Sequence, residues 1–503
     1  VLAGDAGGSY SLPTFNEGLS GYGGEGDHPY TKLDGGDVLS DVHIGRLSFE
    51  SLTELEIIVA KIVGYESAPY IDDPTWFTRA CLVGDTSPSG YSCIQVMQGI
   101  KTWLRQLNYT QVDTVFSNPF VSQMTTALNR GDTIFAYRGY LSMSGWGNSN
   151  TYAMTNGSRM SFAVMSTCGT GSFAQGTARS EAFLRAGDTN PIRPKGAIAA
   201  VGTATTGTHT RFNNCYTFGA IHGALFGSTH EAGPAHTRGK LELYLNYIDS
   251  VPTYVDIFSH WNNLMGDPAT ALWTGYPDPL AVTHPGTIAV GTNAVTVSVS
   301  EGGGPSAGAR VCLLKGTETF ALGWTDEAGV CELPITPATQ GTMLITVTKH
   351  NRHPYAASIT VNPSVRFVSY EASTVDDDGS DESAGNGDQA VNPGETIELP
   401  VKLHNFGMQT ASNVTAILTS DDPYVTVTDA DEEFGSINGG ASAWSHEDFG
   451  FTVDPACPHG RMLRFGLDIS SGSEAWHALI EIPAVSAEFA YQGIHLYNTG
   501  GNS

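Results

Sequence analysis

The sequence predicts a multi-domain protein in which an α/β domain is followed by two all-β sandwiches. Over residues 1–277, short apolar strands alternate with amphipathic helical stretches, which is typical of an α/β layer fold with a largely parallel sheet. From about residue 278 the helical pattern stops, and short alternating strands follow one another between Gly, Pro and Asn turns. A chain of 503 residues that is 40% hydrophobic is long enough for about three domains.

The α/β prediction rests on the spacing of apolar residues along the first 277 residues. Helical spacing predicts helices at 51–66, 95–107 and 122–129. Short apolar runs predict strands at 1–2, 42–44, 80–83, 111–116, 133–137, 161–166 and 196–202. This alternation places active-site loops at the carboxyl ends of the strands. Because the chain opens in an apolar strand, we expect residue 1 to be a processing or fragment boundary, with the N-terminal part of this domain missing.

The all-β part is predicted to form two modules and a tail. Residues 278–363 are typical of an immunoglobulin-like sandwich, residues 364–490 of a second sandwich, and residues 491–503 of a loose polar tail. The predicted strands are 294–299, 309–314, 329–333, 342–348, 357–361, 396–403, 413–419, 424–428 and 462–469. Cys312 and Cys331 lie on two strands of the first sandwich, and the sequence leaves open whether they form a disulfide.

The composition of the chain indicates which classes of partner it can bind and where the protein is located. The formal charge of −27 argues against binding to nucleic acid or to anionic membranes, because both would be repelled. No run of about 18 apolar residues occurs, so we expect no membrane-spanning segment. An acidic, turn-rich chain suits an extracellular or cell-surface protein. The sequence is compatible with self-assembly of the protein and with its attachment to a surface, and it decides neither.

The segment 161–173 is the strongest local indication of chemistry. An apolar strand runs into Ser166, Thr167 and Cys168, and a Gly-rich turn follows. A thiol at the end of a buried parallel strand, beside backbone amides, can ionise more easily and face an oxyanion site. The alternative is that Cys168 is only a small buried residue, which is the commonest role of a lone cysteine.

Several segments together resemble the gingipain-like cysteine peptidases of family C25. They occur in the family's order, and they are VLAGD (1–5), DVHIGRLSFES (41–51), ACLVGD (80–85), IFAYRGYLSMSGW (134–146), VMSTCGTGSF (164–173), GAIAAVG (196–202) and NLMGDPATALW (263–273). The resemblance implies a caspase- or gingipain-like α/β domain over residues 1–277, followed by an immunoglobulin-like domain. It also implies a polypeptide substrate and no organic cofactor.

The resemblance assigns roles to individual residues. Cys168 takes the position of the nucleophile, with amides near Cys168 and Gly169 as oxyanion donors. The family's histidine position holds Tyr140, and the acid that orients the histidine falls near Asp85. A phenol with a pKa near 10 cannot replace an imidazole with a pKa near 6.5 as a base at neutral pH. We therefore expect an impaired or inactive peptidase.

Three alternatives bear on this expectation. His209 is the best-placed substitute base by its order along the chain, and Arg138 could activate the thiol electrostatically. The protein could also be a non-enzymatic structural, assembly or binding protein that reuses the peptidase scaffold.

Arg-cleaving members of the family carry Asp where this chain has Cys93, so specificity for basic residues is not expected.

An acidic loop near the start of the second sandwich is the other candidate site. Carboxylates and amide oxygens at this density suit Ca²⁺, which takes six to eight oxygen ligands in flexible loops. The alternative is an unliganded, solvated run of charge. The candidate ligands are Asp376, Asp377, Asp378, Asp381, Asn386, Asp388 and Glu395.

Overall fold

The computed structural model describes residues 1–486, which divide into two compact units. The first unit comprises Val1–Leu280 and Lys349–Pro354, and the second comprises Ala281–Thr348 and the chain from Tyr355 onward. The predicted tail at 491–503, and the last residues of the predicted module at 364–490, lie outside the described residues. Within residues 1–486, no helix is long and apolar enough to cross a membrane.

The first unit is built from short strands and eight helices. Its strands are β1 (Leu2–Ala3), β2 (Phe15–Leu19), β3 (Tyr22–Gly26), β4 (Arg46–Leu47), β5 (Arg79–Gly84), β6 (Gln111–Val115), β7 (Ile134–Arg138), β8 (Ser161–Met165), β9 (Gly187–Thr189), β10 (Ile192–Pro194), β11 (Ala197–Thr203), β12 (Asn262–Met265) and β13 (Asp278–Pro279). Its helices are α1 (Leu52–Ser67), α2 (Ser92–Gln106), α3 (Phe120–Arg130), α4 (Asn148–Tyr152), α5 (Arg179–Arg185), α6 (Thr210–Phe226), α7 (Ala232–Asn246) and α8 (Asp256–Trp261).

The central sheet of this unit has eight strands in the order β1-β4-β12-β11-β8-β7-β5-β6. Every neighbouring pair is parallel except β11 and β12, which are antiparallel, so the sheet is mixed. The α/β prediction is confirmed. Because β11, β8, β7 and β5 are adjacent and parallel, the loops that leave their carboxyl ends meet at one edge of the sheet.

Both faces of this sheet are buried, and successive side chains of a strand serve two different cores. In β7, Ile134 and Ala136 belong to the core that α2 and α6 cover, whereas Phe135 and Tyr137 belong to the core that α3 covers. Strands of this kind are hydrophobic at nearly every position rather than alternating. The sequence signal for β5, β7, β8 and β11 is strong for this reason.

The second unit consists of strands that alternate buried and exposed residues, which is consistent with the predicted all-β domains. Its strands are β14 (Ala281–Thr283), β15 (Thr287–Ala289), β16 (Ala294–Glu301), β17 (Gly304–Pro305), β18 (Arg310–Lys315), β19 (Thr319–Trp324), β20 (Val330–Pro334), β21 (Gly341–Thr348), β23 (Tyr355–Asn362), β24 (Val368–Ser373), β25 (Thr396–Leu399), β26 (Val401–Asn405), β27 (Ala411–Thr419), β28 (Val425–Asp429), β29 (Asp431–Ile437), β30 (Ser442–Trp444), β31 (Phe449–Val453), β32 (Met462–Ser471) and β33 (Glu474–Pro483), while β22 (Arg352–His353) belongs to the first unit. One sheet has the strand order β15-β23-β21-β18-β19, and another has the order β29-β27-β32-β33.

The disulfide that the sequence left open does not form, since Cys312 and Cys331 are both free thiols. In β18, Val311 and Leu313 are buried, and Cys312 between them is only half-buried. Cys331 in β20 is buried. Alternate side chains of a strand point to opposite faces, so Cys312 points away from the core that holds its neighbours.

Two predicted strands are wrong. Residues 42–44 form no strand, and the pairing with β1 is made instead by β4, which contains the charged residue Arg46. The predicted strand 396–403 is two strands, because Pro400 lacks the N–H that a continuous ladder requires. β25 pairs with β31, whereas β26 pairs with β24 and β30.

Arg46 is a fully buried arginine whose five N–H donors all have acceptors. Its Nε and Nη2 atoms each donate to the carboxylate of Asp27 at 2.7 Å. The other hydrogen bonds reach the carbonyl oxygens of Gly4, Leu12 and Pro13 at 2.9, 3.0 and 3.1 Å. This ion pair holds the hairpin of β2 and β3 and the first loop of the chain against the edge of the sheet.

Replacing one partner of this pair should destabilise the first unit strongly. We expect Arg46→Gln to lower its free energy of unfolding by about 3–5 kcal/mol, because the buried Asp27 carboxylate would lose the cation that is hydrogen-bonded to both of its oxygens. Urea-dependent hydrogen exchange of β8 and β11 measures the first unit separately from the second. The control is Lys32→Gln, which breaks a half-exposed pair with Asp256 and should cost about 0–1 kcal/mol. Equal losses in the two variants would contradict the assigned role of Arg46.

Candidate active site

Cys168 lies in a turn that follows the buried strand β8 at the carboxyl edge of the sheet. The turn is fixed by two threonines: Thr167 Oγ1 donates to the Gly139 carbonyl oxygen at 2.9 Å, and Thr170 Oγ1 donates to the Met165 carbonyl oxygen at 2.5 Å. Gly169 has a φ of +69°, the left-handed region that favours glycine. The sequence Thr-Cys-Gly-Thr therefore builds a rigid turn with the thiol at its tip.

The loop that follows β11 contacts this turn directly. The Gly169 N–H donates to the Thr205 carbonyl oxygen at 2.8 Å, and the Gly171 N–H donates to the Thr203 carbonyl oxygen at 3.1 Å. Further along the same loop, Thr208 Oγ1 lies 2.8 Å from Cys168 Sγ. The thiol is thus paired with a neutral hydroxyl. The Gly169 amide, which was expected to help hold an oxyanion, is engaged by Thr205.

Cys168 opens onto a cleft of about 310 Å³. Most of its wall is formed by the end of β7 and by the loops that follow β5, β7, β8 and β11, which the strand order brings together, and Tyr22 of β3 also lines it. Among residues 1–486, no histidine, aspartate or glutamate lines the cleft; the lining residues are Tyr22, Pro88, Ser89, Arg138, Gly139, Tyr140, Cys168, Thr206, Gly207, Thr208 and Thr210.

Of the described residues that line the cleft, Arg138 alone is ionic, and it is 1% exposed. Its Nε donates to Asn214 Oδ1 at 2.8 Å and its Nη2 to the Thr210 carbonyl oxygen at 3.4 Å, while its Nη1 donates to the Ser166 carbonyl oxygen. Burial lowers the pKa of Arg138 from its usual range. The guanidinium connects the ends of β7 and β8 to the start of α6.

Residues 1–273 match the family model of peptidase family C25. The chain belongs to this family. Over 188 residues it is 27% identical to gingipain R2 of Porphyromonas gingivalis (strain ATCC BAA-308 / W83), an alignment that covers 35% of this chain and 25% of that protein. Gingipain R1 of Porphyromonas gingivalis is also 27% identical over 188 residues, which are 19% of its length. The chain therefore spans about a quarter or less of the length of these relatives.

The fold comparison agrees with the family match. The crystal structure of the Arg-specific cysteine proteinase gingipain R has a TM-score of 0.62 to this chain, with 19% sequence identity. The alignment covers 72% of this chain and 83% of that chain. The two proteins therefore share a fold.

Tyr140 lies in the lining of the cleft, as the neighbour of Gly139 at the end of β7. Its side chain is 47% exposed. After it the chain makes a tight turn (Leu141–Gly145) in which Met143 and Ser144 both have positive φ. Cys168 and Tyr140 thus share one cleft, and a phenol is present where the family resemblance places an imidazole.

Asp85 is tied to this turn rather than to the thiol. Its Oδ2 accepts a hydrogen bond from Ser144 Oγ at 2.6 Å, and its Oδ1 accepts one from the Ser87 N–H at 3.0 Å. Ser144 Oγ is also 2.8 Å from the Tyr137 hydroxyl, and burial raises the pKa of Tyr137 above its ordinary value. Asp85 is outside the cleft lining, and it positions the loop that carries Tyr140.

His209, the candidate substitute base, caps a helix. Its Nδ1 accepts from the Arg211 N–H at 3.3 Å at the start of α6, and its ring packs edge-on against Phe212. Partial burial, together with the charge of Arg211, lowers the pKa of His209. His209 does not line the cleft, and the loop brings its neighbour Thr208 to the sulfur instead.

Thr208 and Asn214 are functional candidates that the sequence analysis missed. Asn214 accepts from Arg138 and donates through Nδ2 to Ser92 Oγ at 3.0 Å, which links α6 to the start of α2. Cys93, the next residue of α2, is buried, and burial raises its pKa. Polar residues of this kind have no local sequence signature. The sequence feature that could have drawn attention to this region is the polar Gly-Thr-His-Thr segment at the start of α6.

The acidic loop of the second unit uses many of its oxygens to hold its own backbone. Asp377 is 1% exposed and accepts N–H groups from Gly387, Asp388 and Gln389 at 2.8, 3.2 and 3.0 Å. Although burial raises the pKa of Asp377, these hydrogen bonds outweigh it and lower the pKa overall. In residues 1–486, no group of three or more His, Cys, Asp or Glu residues converges as a metal-binding set.

The other candidate ligands of this loop are also engaged locally. Asp378 Oδ1 accepts from the N–H and hydroxyl of Ser380 at 2.8 and 2.6 Å. Glu395 accepts the Asn392 N–H at 2.9 Å. The remaining contacts of this type are Asp376 Oδ1 with the Asp378 N–H, Asn386 Oδ1 with the Asp388 N–H, and Asp388 Oδ1 with the Ala390 N–H. Asp381 has a positive φ of 47°.

Proposed function

We propose that this C25 protein is a catalytically impaired cysteine endopeptidase, with Cys168 as its nucleophile and no resident imidazole base. One observation carries the proposal: in the part of the chain that the structure describes, the lining of the cleft contains the Cys168 thiol and Tyr140 but no histidine. The Sγ atom is paired with the hydroxyl of Thr208. A hydroxyl is too weakly basic to accept the thiol proton near neutral pH.

The chemistry of amide cleavage explains the impairment. The thiolate has to attack the carbonyl carbon, and a proton has to reach the leaving amine, so the site needs a group that both accepts and returns a proton. The hydroxyls of Ser89, Thr206 and Thr210 cannot do this at neutral pH, and the guanidinium of Arg138 stays protonated. General acid–base catalysis by a positioned side chain contributes about 10²–10⁴-fold.

The second candidate function is a non-enzymatic binding or assembly protein built on the same scaffold. The pairing of Cys168 with Thr208 favours it, because this contact occupies the sulfur with a neutral partner. An extracellular or cell-surface location and immunoglobulin-like modules belong to both proposals. The net charge of −27 and the alternating strands of the second unit support these features.

Restoring an imidazole at position 140 tests the proposal. With an internally quenched library of mixed peptides, we expect slow turnover by the wild type and a gain in kcat/KM of about 100-fold in Tyr140→His. The gain is at the low end of the usual range, because Arg138 disfavours the imidazolium form. Tyr140→Phe should show no gain, and Cys168→Ala should abolish the residual turnover.

The wild-type rate separates the two candidate functions. Slow hydrolysis that depends on Cys168 supports the impaired peptidase. Binding of peptides without any turnover, in the wild type and in Tyr140→His alike, supports the non-enzymatic protein. Rapid hydrolysis by both the wild type and Tyr140→Phe would overturn the proposal, because the site would then use a base other than residue 140.

We also propose that the acidic loop of the second unit binds Ca²⁺ after a local rearrangement. Crowding of like charges supports this proposal: burial raises the pKa of Glu398, and the nearby carboxylates of Asp381, Asp376 and Asp448 raise it further. A divalent cation would relieve this repulsion. The loop has to exchange some of its backbone hydrogen bonds for metal contacts.

Calcium addition and chelation test this site. At a Ca²⁺ concentration of about 100 Kd, we expect the melting temperature of the second unit to rise by about 5–10 °C, and EGTA should reverse the rise. The double variant Asp376→Asn and Asp381→Asn should lose the response. Asp468→Asn, which removes an exposed carboxylate bound to His477, is the matched control and should keep it. A wild-type melt that is identical with Ca²⁺ and with EGTA would remove the proposal.

A further inference from the structure

Arg138 is a buried cation without a carboxylate partner, in contrast to the other buried arginines of residues 1–486. Arg46 holds Asp27, and Arg185 holds Glu181 and Glu50, through ion pairs of 2.6–2.7 Å. Every hydrogen-bond acceptor of Arg138 within the described residues is instead a neutral oxygen. A charge that is removed from water without a counter-charge is costly, so proteins usually pair it.

The guanidinium also keeps unused hydrogen-bonding capacity. An arginine has five N–H donors, and three of those of Arg138 are used by Asn214, Ser166 and Thr210. In the described part of the chain, one N–H on each terminal nitrogen is left without a protein acceptor. Two donors on the two terminal nitrogens match the two oxygens of a carboxylate.

The surroundings of Arg138 add further attraction for an anion. Thr210, in the same lining, is the first residue of the 17-residue helix α6, whose N-terminus carries partial positive charge. Hydroxyl groups from Ser89, Thr206 and Thr208 line the cleft as well, and no carboxylate from residues 1–486 is in its lining. The cleft is therefore locally cationic on a strongly acidic chain.

We infer that the cleft recognises a carboxylate of a polypeptide through Arg138, beside Cys168. The inference rests on the proposed function, because it names the group that selects the ligand of the same cleft. The carboxylate belongs either to an aspartate or glutamate side chain or to the C-terminus of the ligand. Both sources offer the same two oxygens, and the experiment below distinguishes them.

A pair of small alkylating agents tests the carboxylate site without any peptide. Iodoacetate and iodoacetamide both form a bond between Sγ and CH₂, release iodide and leave the thiol proton to solvent, but only iodoacetate carries a carboxylate. We expect the ratio of their rates at Cys168, measured by peptide-mapping mass spectrometry, to exceed the ratio for N-acetylcysteinamide by about tenfold or more. A ratio equal to that of the reference thiol would overturn the inference.

Variants of Arg138 assign the effect to the guanidinium. Arg138→Met should reduce the rate ratio to that of the reference thiol, and Arg138→Lys, which keeps the charge but not the two-point contact, should retain part of it. Arg159→Met, which removes a half-buried arginine paired with Asp73, is the matched control and should keep the full ratio. An undiminished ratio in a folded Arg138→Met variant would contradict the assignment.

Protection of the wild-type thiol by peptides identifies the source of the carboxylate and does not depend on any variant folding. Three pentapeptides with blocked N-termini are compared for protection of Cys168 from iodoacetamide. The first has a central Glu and an amidated C-terminus, the second has a central Gln and an amidated C-terminus, and the third has a central Gln and a free C-terminus. Protection by the first alone indicates an acidic side chain, and protection by the last alone indicates a C-terminal carboxylate. Equal protection by all three would overturn the inference and leave the polypeptide-binding function standing. A raised iodoacetate ratio with no protection by any peptide would support the carboxylate site and contradict the polypeptide ligand.

Discussion

The cleft depends on the guanidinium of Arg138, because this one side chain connects three separate segments. It hydrogen-bonds the carbonyl oxygen of Ser166, two residues before Cys168, and that of Thr210, two residues after Thr208. The guanidinium therefore helps to hold both partners of the sulfur–hydroxyl contact in place, together with the threonine and backbone hydrogen bonds of the two loops. Because a buried charge needs oxygen atoms around it, the loops after β8 and β11 cannot separate without exposing the guanidinium or removing acceptors from the N–H donors that are now bonded.

Close approach of backbone segments completes this arrangement. A Cβ atom on Gly171 would lie 2.4 Å from the carbonyl carbon of Gly202, so glycine is required where the turn after β8 crosses the end of β11. Parallel strands place their loops at one edge, and this close approach lets the turn after β8 pack directly against the end of β11. The strand order of the sheet brings the segments near one another, and the glycines and threonines determine their separation at the atomic level.

Prediction from sequence succeeded where the physical signal is local or periodic. The buried strands β5, β7, β8 and β11 are hydrophobic on both faces, and the end of β8 pointed to Cys168. The position of Tyr140 came from the family resemblance, and the structure places both residues in one cleft. It failed at β4, since Arg46 enters a buried strand only with the help of Asp27, 19 residues earlier in the chain. His209 shows the same limit. Its imidazole satisfies a free N–H at the start of α6, whereas the hydroxyl of Thr208 reaches the sulfur through a contact that no local pattern indicates.

The phenol at position 140 and the unpaired cation at position 138 fit together electrostatically. A thiolate–imidazolium pair requires a second positive charge next to the thiol, and Arg138 already places a permanent one in the same cleft. Like charges at close range disfavour the protonated imidazole, whereas a phenol carries no charge near neutral pH. A cleft with a guanidinium, hydroxyl groups and a helix N-terminus is therefore better suited to holding a negative group than to moving a proton. The absence of an imidazole base that we propose, and the anionic ligand that we infer, would be two consequences of the same local charge.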